Sequence, residues 1–273
     1  MILSLHLAIL VLSSFHISNA AECNGCVILD SKTFDKVLSK FDLMIVKFDK
    51  YNPDLKKHAA FGQVYADLSK EVGMENMMAA HVNIIKDGEI KNTELVNEYQ
   101  LQTEIFEESL PAVFAFMKIK EGEKKGDNET HSYSMLTKSD FDADSLKRAI
   151  RSYTGIYFTL PGCIDNFDFL AVKFAGEATT FKQKSVISEA EVHLSQIPQA
   201  ETEKVAIAKE YISWMKKIVD SGKDIHSFTE DTFEELKKSE LEKEKQNQAM
   251  NILDAFSLGG RFQMVEAPEH DEL

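Results

Sequence analysis

The pattern of apolar residues changes near residue 155, and this change restricts the chain to a combination of two kinds of domain. Residues 27–154 alternate short apolar runs, which are typical of strands, with segments whose apolar residues recur at helical spacing. Their order, β-α-β-α-β-α-β-β-α, fits a mixed sheet with helices packed on both faces. Residues 163–256 show helical spacing only, which predicts an all-α bundle of four or five helices.

The expected domain boundaries follow from this change, because a short connector with Gly and Pro near its ends separates the two halves. We expect a first domain at 21–154, a linker at 155–162, an all-helical domain at 163–257 and a flexible tail at 258–273. Within the helical domain, one predicted helix ends near Gly222. A second is expected to run from Asp231 to about Leu253 without a break.

Both ends of the chain carry features of a secretory-pathway protein. Residues 2–17 form an apolar run shorter than the ~20 residues of a usual membrane span, and the small residues of Ser18-Asn19-Ala20 follow it. This pattern predicts a cleaved signal peptide at 1–20. The last four residues match a retrieval signal of the endoplasmic reticulum (ER) and are His270, Asp271, Glu272 and Leu273. We therefore expect a protein of the ER lumen that binds the retrieval receptor and does not insert into the membrane.

The net charge of −14 argues against nucleic acid and anionic membranes as partners, because an acidic surface repels both. Such a surface could also bind lumenal calcium weakly, which leaves a low-affinity calcium buffer as one hypothesis. The chain lacks the alternating Asp/Asn ligands and central Gly of an EF-hand loop. Solvation of the surface is therefore the simpler interpretation of the acidic charge.

The three cysteines form one C-x-x-C pair, Cys23 and Cys26, and one lone thiol, Cys163. A C-x-x-C pair exchanges disulfides efficiently when a helix N-terminus lowers the pKa of its first thiol. In a chain of thioredoxin-like order that place is the loop after the second strand, but here residues 49–57 contain no cysteine. Three roles stay open for the pair: a small local disulfide, a weak exchange site or a link to a partner. Cys163 is expected to be half-buried, with a regulatory or mixed-disulfide role as the alternative.

Pro111 lies directly before a predicted strand, and the order of elements favours a cis peptide bond there. Asn128 begins the sequon Asn-Glu-Thr, so it is a possible glycosylation site. The eight histidines show no metal-ligand spacing to the cysteines, and the motifs of hydrolysis, phosphoryl transfer and nucleotide binding are missing. We expect neither a metal nor another cofactor.

Three segments, taken in order, resemble the PDI-D-beta family, the redox-inactive chaperones of the ER. Cys-Asn-Gly-Cys-Val-Ile-Leu-Asp at 23–30 is similar to the family's N-terminus. Val46-Lys47-Phe48-Asp49, with Pro53 and Lys57-His58, is similar to its second strand and the loop that follows. Pro161-Gly162-Cys163 is similar to the start of its helical domain, and the resemblance extends over nearly the whole mature chain.

The resemblance implies a thioredoxin-like first domain and a non-enzymatic role, in which the protein binds unfolded or partly folded secretory clients and escorts them. It implies a homodimer formed through the first strand and helix, at about residues 27–40. It also implies a client-binding site at Asp49, Tyr51, Pro53, Tyr65 and Pro111. In a family member the loop proline is flanked by tyrosines, whereas Asn52 and Asp54 flank Pro53 here and Tyr51 lies one residue earlier. The rival hypothesis is a thiol–disulfide oxidoreductase or isomerase that acts through Cys23 and Cys26.

Overall fold

The computed structural model describes residues 26–71, 75–101, 110–119, 130–138 and 141–258. By its internal contacts the chain divides into two compact units, the first ending at Asp142 and the second beginning at Ala143. The first unit is a mixed sheet with helices, and the described part of the second is helical throughout. The expected thioredoxin-like α/β fold followed by a helical domain is thereby confirmed. No helix among the described residues is both long enough and apolar enough to cross a membrane.

The sheet of the first unit has the strand order β1-β3-β2-β5-β6, and β4 pairs with β3. Strands β1 and β2 run parallel to β3, whereas β5 is antiparallel to β2 and to β6. The elements are β1 (Val27–Leu29), α1 (Phe34–Leu38), β2 (Leu43–Lys50), α2 (Leu55–Leu68), β3 (Met77–Lys86), β4 (Glu89–Ile90), α3 (Thr93–Glu98), β5 (Ala112–Lys118) and β6 (His131–Lys138).

Strand β2 lies at the centre of the sheet, and every residue from Leu43 to Asp49 is buried. Its nearly continuous apolar run suits a strand covered on both faces. Because side chains alternate along a strand, Val46 and Phe48 lie on one face and Lys47 and Asp49 on the other. The first face packs into an aromatic core that includes Phe34, Tyr99, Phe114 and Phe116. The second face therefore places two charged side chains inside the unit.

The peptide bond between Leu110 and Pro111 is cis, as the sequence predicted. Pro111 is buried and directly precedes β5. The first residue of that strand, Ala112, pairs with Phe48 near the end of β2. The proline therefore lies at the same end of the sheet as the loop that follows β2.

The second unit consists of helices whose apolar faces meet in a shared core. Its helices are α4 (Ala143–Thr154), α5 (Asp165–Gly176), α6 (Thr180–Gln196), α7 (Thr202–Ser221), α8 (Ile225–Lys238) and α9 (Lys243–Ser257). Helix α7 ends at Gly222, whose φ of 65° is the left-handed conformation expected at such a position. The prediction of one unbroken helix from Asp231 to about Leu253 was wrong, because the chain turns between Ser239 and Glu242.

Helix α4, which we expected to close the first domain, groups with the helical unit. Arg151 explains this, because its guanidinium is fully buried between α5 and α9. Its Nη1 lies 3.2 Å from a carboxylate oxygen of Asp168, and its Nη2 lies 2.7 Å from one of Asp254. Nη1 also donates to the carbonyl of Phe158 at 3.1 Å. One cation thus joins α4, the connector and two helices of the bundle.

Candidate functional site

The loop after β2 carries three of the predicted client-binding residues, and the structure separates them by exposure. Tyr51 is 52% exposed and Pro53 is half-buried, whereas Asp49 is only 2% exposed. The amide of Tyr51 donates to the carbonyl of Ile85 at 2.8 Å, which fixes the start of the loop against the end of β3. Asp49 consequently lies beneath the surface that Tyr51 helps to form.

The other two predicted positions are not exposed as Tyr51 is. Pro111 is at the same end of the sheet but buried. Tyr65 is half-buried on α2, ten residues after Leu55, which corresponds to about 15 Å along a helix axis. The exposed neighbour that the sequence did not single out is Leu55, with 57% of its surface accessible. We call Tyr51, Pro53 and Leu55 the α2-head patch.

Asp54 sets the conformation of the loop by capping α2. Its side chain accepts from the amides of Lys56 at 2.9 Å and Lys57 at 3.0 Å, as a preferred N-cap residue does. These hydrogen bonds, first that from Lys57, hold the pKa of Asp54 below its usual value. The helix N-terminus that would activate a thiol in a thioredoxin-like enzyme is therefore occupied by a carboxylate of the chain itself.

A buried ionic group, which we call the Lys47 cluster, lies under the patch and consists of Lys47, Asp49, His58 and His81. The ammonium of Lys47 donates to Asp49 at 2.8 Å and to Nδ1 of His58 at 2.7 Å. The rings of His58 and His81 lie 5.5 Å apart, and His81 faces Lys47 across the β2–β3 pair. His58 belongs to the first turns of α2, so the cluster connects that helix to the sheet.

Burial governs the charges in the Lys47 cluster. It lowers the pKa of Lys47, an effect that the neighbouring Asp49 opposes. It also lowers the pKa of His81 to about 3, with further contributions from the positive charge of Lys47 and from His58. His81 is therefore neutral at physiological pH, and its Nε2 has no hydrogen-bond partner among the described residues. Sequence reasoning missed this cluster, although charged residues at alternate positions of an apolar strand could have indicated it.

We expect the stability of the first unit to fall in acid because of His81. Its pKa is lower in the folded state than the usual 6.5, so the unfolded chain binds the extra proton as pH falls below that value. The unfolding free energy should therefore decrease from pH 6.5 towards pH 3, by up to about 1.4 kcal/mol per pH unit. Amide hydrogen exchange in β2 and β3 at several pH values measures this slope. His81→Leu should flatten it, and the exposed-site control His226→Leu should not; equal slopes in all three proteins would contradict the expectation.

The α2-head patch itself contains no cysteine. Cys26, directly before β1, is disulfide-bonded, and Cys23 lies outside the described residues. Cys163 is a free, half-buried thiol, as expected. Burial raises its pKa, and the nearby carboxylate of Asp168 adds to the effect. Because the thiolate is the reactive form, Cys163 is a weak nucleophile in this setting.

Several predicted features fall where the structure gives no description. Asn128, the signal peptide at 1–20 and the retrieval signal at 270–273 all lie outside the described residues. Within the described ranges, no group of three or more His, Cys, Asp or Glu side chains is arranged to hold a metal ion.

Comparison with known proteins gives a family match, one curated relative and similar solved structures. The family described as "ERp29, N-terminal domain" matches residues 21–161. Protein windbeutel of Drosophila melanogaster is 29% identical over 262 residues, which is 93% of this chain and 92% of that protein. Among solved structures, thioredoxin f2 of Chlamydomonas reinhardtii aligns over 49% of this chain and 100% of its own, with 18% identity and a TM-score of 0.33. The zinc-bound form of human ERp44 aligns over 34% of this chain and 23% of its own, with 19% identity and a TM-score of 0.27.

Proposed function

The chain belongs to the ERp29 family, and from this membership and the exposed α2-head patch we propose that it is a non-catalytic chaperone of the ER lumen. In this role it binds unfolded or partly folded secretory proteins and escorts them through folding, processing and export. The observation that carries the proposal is the exposure of Tyr51 and Leu55 at a position where thioredoxin-like enzymes hold reactive thiols.

The chemistry of the patch suits weak and reversible binding. Tyrosine offers a large contact area while losing little rotamer freedom. Burying one large apolar side chain contributes about 1.5–3 kcal/mol, so two such contacts alone correspond to dissociation constants of about millimolar. An escort factor needs affinities of this order per contact, because it must release each client. Additional contacts along an extended client would tighten the complex.

Location and assembly complete the proposal. The predicted signal peptide at 1–20 and the retrieval signal at 270–273 would keep the protein in the ER lumen, with the retrieval receptor as a partner. A homodimer through residues 27–40 would cover Ile28, which is 75% exposed on the edge strand β1. Such a side chain on an open sheet edge favours pairing with a second copy.

The disulfide at Cys26 is the observation that favours the rival function, a thiol–disulfide oxidoreductase. Against it, this cysteine directly precedes β1, and the structure shows no helix N-terminus beginning there to lower a thiol pKa. The helix start that could do so, at Leu55, is capped by Asp54. We therefore keep the oxidoreductase as the alternative.

Replacing Tyr51 or Leu55 with serine should weaken client binding about tenfold, because each change removes most of one apolar contact. The measurement is the dissociation constant for reduced, carboxymethylated α-lactalbumin, a denatured client without reactive thiols. Met135→Ser is the matched control, since Met135 is 46% exposed on β6, at the other edge of the sheet. Unchanged affinity in both patch variants, or an equal loss in the control, would refute this assignment of the site.

A further inference from the structure

We propose that the α2-head patch selects client segments in which an acidic residue lies next to an aromatic or large apolar one. This inference rests on the proposed client-binding function and adds the chemical class of the segment that is bound. It derives from the lysines around the patch, which neither the family match nor the apolar residues account for.

The surroundings of the patch are positive in a chain whose net charge is −14. Lys50 ends β2 directly before Tyr51. Lys86 ends β3 at the same end of the sheet, next to the Ile85 that pairs with Lys50. Lys56 and Lys57 follow Leu55 in the first turn of α2. These four lysines, which we call the lysine rim, lie near Tyr51 either along the chain or, in the case of Lys86, across the pair of β2 and β3.

Carboxylates of the chain offset only part of this charge. Asp49 is buried against Lys47. The side chain of Asp54 accepts from the amides of Lys56 and Lys57, and the positive charges of these two lysines also help to lower its pKa. Asp87 follows Lys86 and is exposed, and the two side chains do not form an ion pair. Across the described ranges, no ion pair joins a carboxylate to Lys50, Lys56 or Lys86, whereas Lys91 and Lys118 are paired with Glu89 and Asp42. The lysine rim is therefore a local exception to the acidic surface.

The contact between Lys86 and Tyr51 brings a cation of the lysine rim against an apolar residue of the α2-head patch. The ammonium of Lys86 lies 4.4 Å from the centroid of the Tyr51 ring, within the range of a cation–π interaction. The contact orients the ring and holds the cation at its face. A client side chain packed on Tyr51 or Leu55 would thus have an ammonium beside it, where a neighbouring carboxylate could pair.

Charge complementarity at an exposed rim acts mainly on specificity and on the association rate, and salt screens it. A segment that contains only apolar residues would use the patch alone. A segment with an adjacent Asp or Glu would also pair with the lysine rim, and one with an adjacent Lys or Arg would be repelled. The expected preference is about tenfold at low salt and smaller at high salt.

The test uses the full mature chain and two fluorescent peptides that differ only in having Glu or Lys on each side of a single Phe. Dissociation constants are measured at about 0.02 M and about 0.5 M salt, between which the screening length falls severalfold. We expect the Glu peptide to bind about tenfold more tightly at low salt. Lys50→Glu/Lys56→Glu should abolish or invert this preference. Lys184→Glu/Lys209→Glu, the same charge change on exposed lysines of the helical unit, should retain it.

Each other outcome overturns the inference in a distinguishable way. Equal affinity of both peptides for the wild type, with both lost in Tyr51→Ser, would refute charge selection and leave the proposed function intact. A preference that survives Lys50→Glu/Lys56→Glu would place the selection elsewhere on the protein. No binding of either peptide, together with client binding that does not depend on Tyr51, would refute both. Capture by phosphatidylserine vesicles that needs Lys50, without peptide preference, would assign the lysine rim to membranes instead.

Discussion

Replacing Arg151 with methionine should lower the unfolding free energy of the helical unit by about 3–5 kcal/mol. The guanidinium is fully buried and lies within 3.2 Å of two carboxylates, those of Asp168 and Asp254. Methionine fills much of the same volume but leaves both carboxylates in the interior without the guanidinium that pairs with them. Removing one partner of a buried ionic group leaves the other charge buried without a counter-charge. The expected loss of unfolding free energy is therefore far larger than for a surface ion pair.

The carboxylates already show how costly their burial is. Burial raises the pKa of Asp168 to about 6, although Arg151 and a hydrogen bond from Tyr211 oppose the shift. Burial raises the pKa of Asp254 as well. Without Arg151 nothing comparable would offset these effects, so Arg151→Met/Asp254→Asn should recover part of the lost stability.

Fluorescence of Trp214, the only tryptophan of the chain, reports the unfolding of this unit in urea. Lys173→Met is the matched control, because Lys173 forms an exposed ion pair with Glu189 at 2.6 Å and should cost at most about 1 kcal/mol. If Arg151→Met and Lys173→Met shift the midpoint equally, the buried ionic group does not hold the unit together as described.

Replacing Lys47 with methionine should destabilise the first unit by a similar amount, about 3–5 kcal/mol. Lys47 has no exposed surface, and its ammonium is the cation that faces the buried carboxylate of Asp49. The change would also remove the donor to Nδ1 of His58, which links α2 to the sheet. We therefore expect the loop that carries Tyr51 to lose order along with the strand.

Amide hydrogen exchange in β2 and at the start of α2 is the measurement for this variant. Lys118→Met serves as control, since its ion pair with Asp42 at 3.0 Å is exposed. Lys47→Met/Asp49→Asn should exchange more slowly than the single variant, because no buried charge is then left unpaired. Protection in Lys47→Met equal to that of the wild type would show that the Lys47 cluster does not support the patch.

Local patterns made much of the fold predictable. The continuous apolar run in β2 indicated a strand covered on both faces, and the proline before β5 indicated the cis bond. The family resemblance carried by residues 46–49, Pro53 and Lys57-His58 placed the candidate site at the loop of residues 49–57, which follows that strand directly. In each case the deciding signal lies within a few residues of the feature that it predicts.

The parts that could not be predicted depend on pairing between distant residues. His81 reaches Lys47 only through the register of β2 with β3, and Arg151 meets Asp254 across 103 residues. The grouping of α4 with the helical unit depends on the same kind of pairing, because the partners of Arg151 lie on later helices. The turn between α8 and α9 lacks Gly and Pro, so no local residue marked it.

The central claim is that this member of the ERp29 family binds clients without thiol chemistry, and insulin reduction tests it most directly. The rate of reduction is compared between the wild type and Cys23→Ser, with dithiothreitol alone as the background. The account predicts that both proteins give the background rate, since neither adds an activated thiol. Robust turnover by the wild type that disappears in Cys23→Ser would contradict the account and establish the oxidoreductase instead.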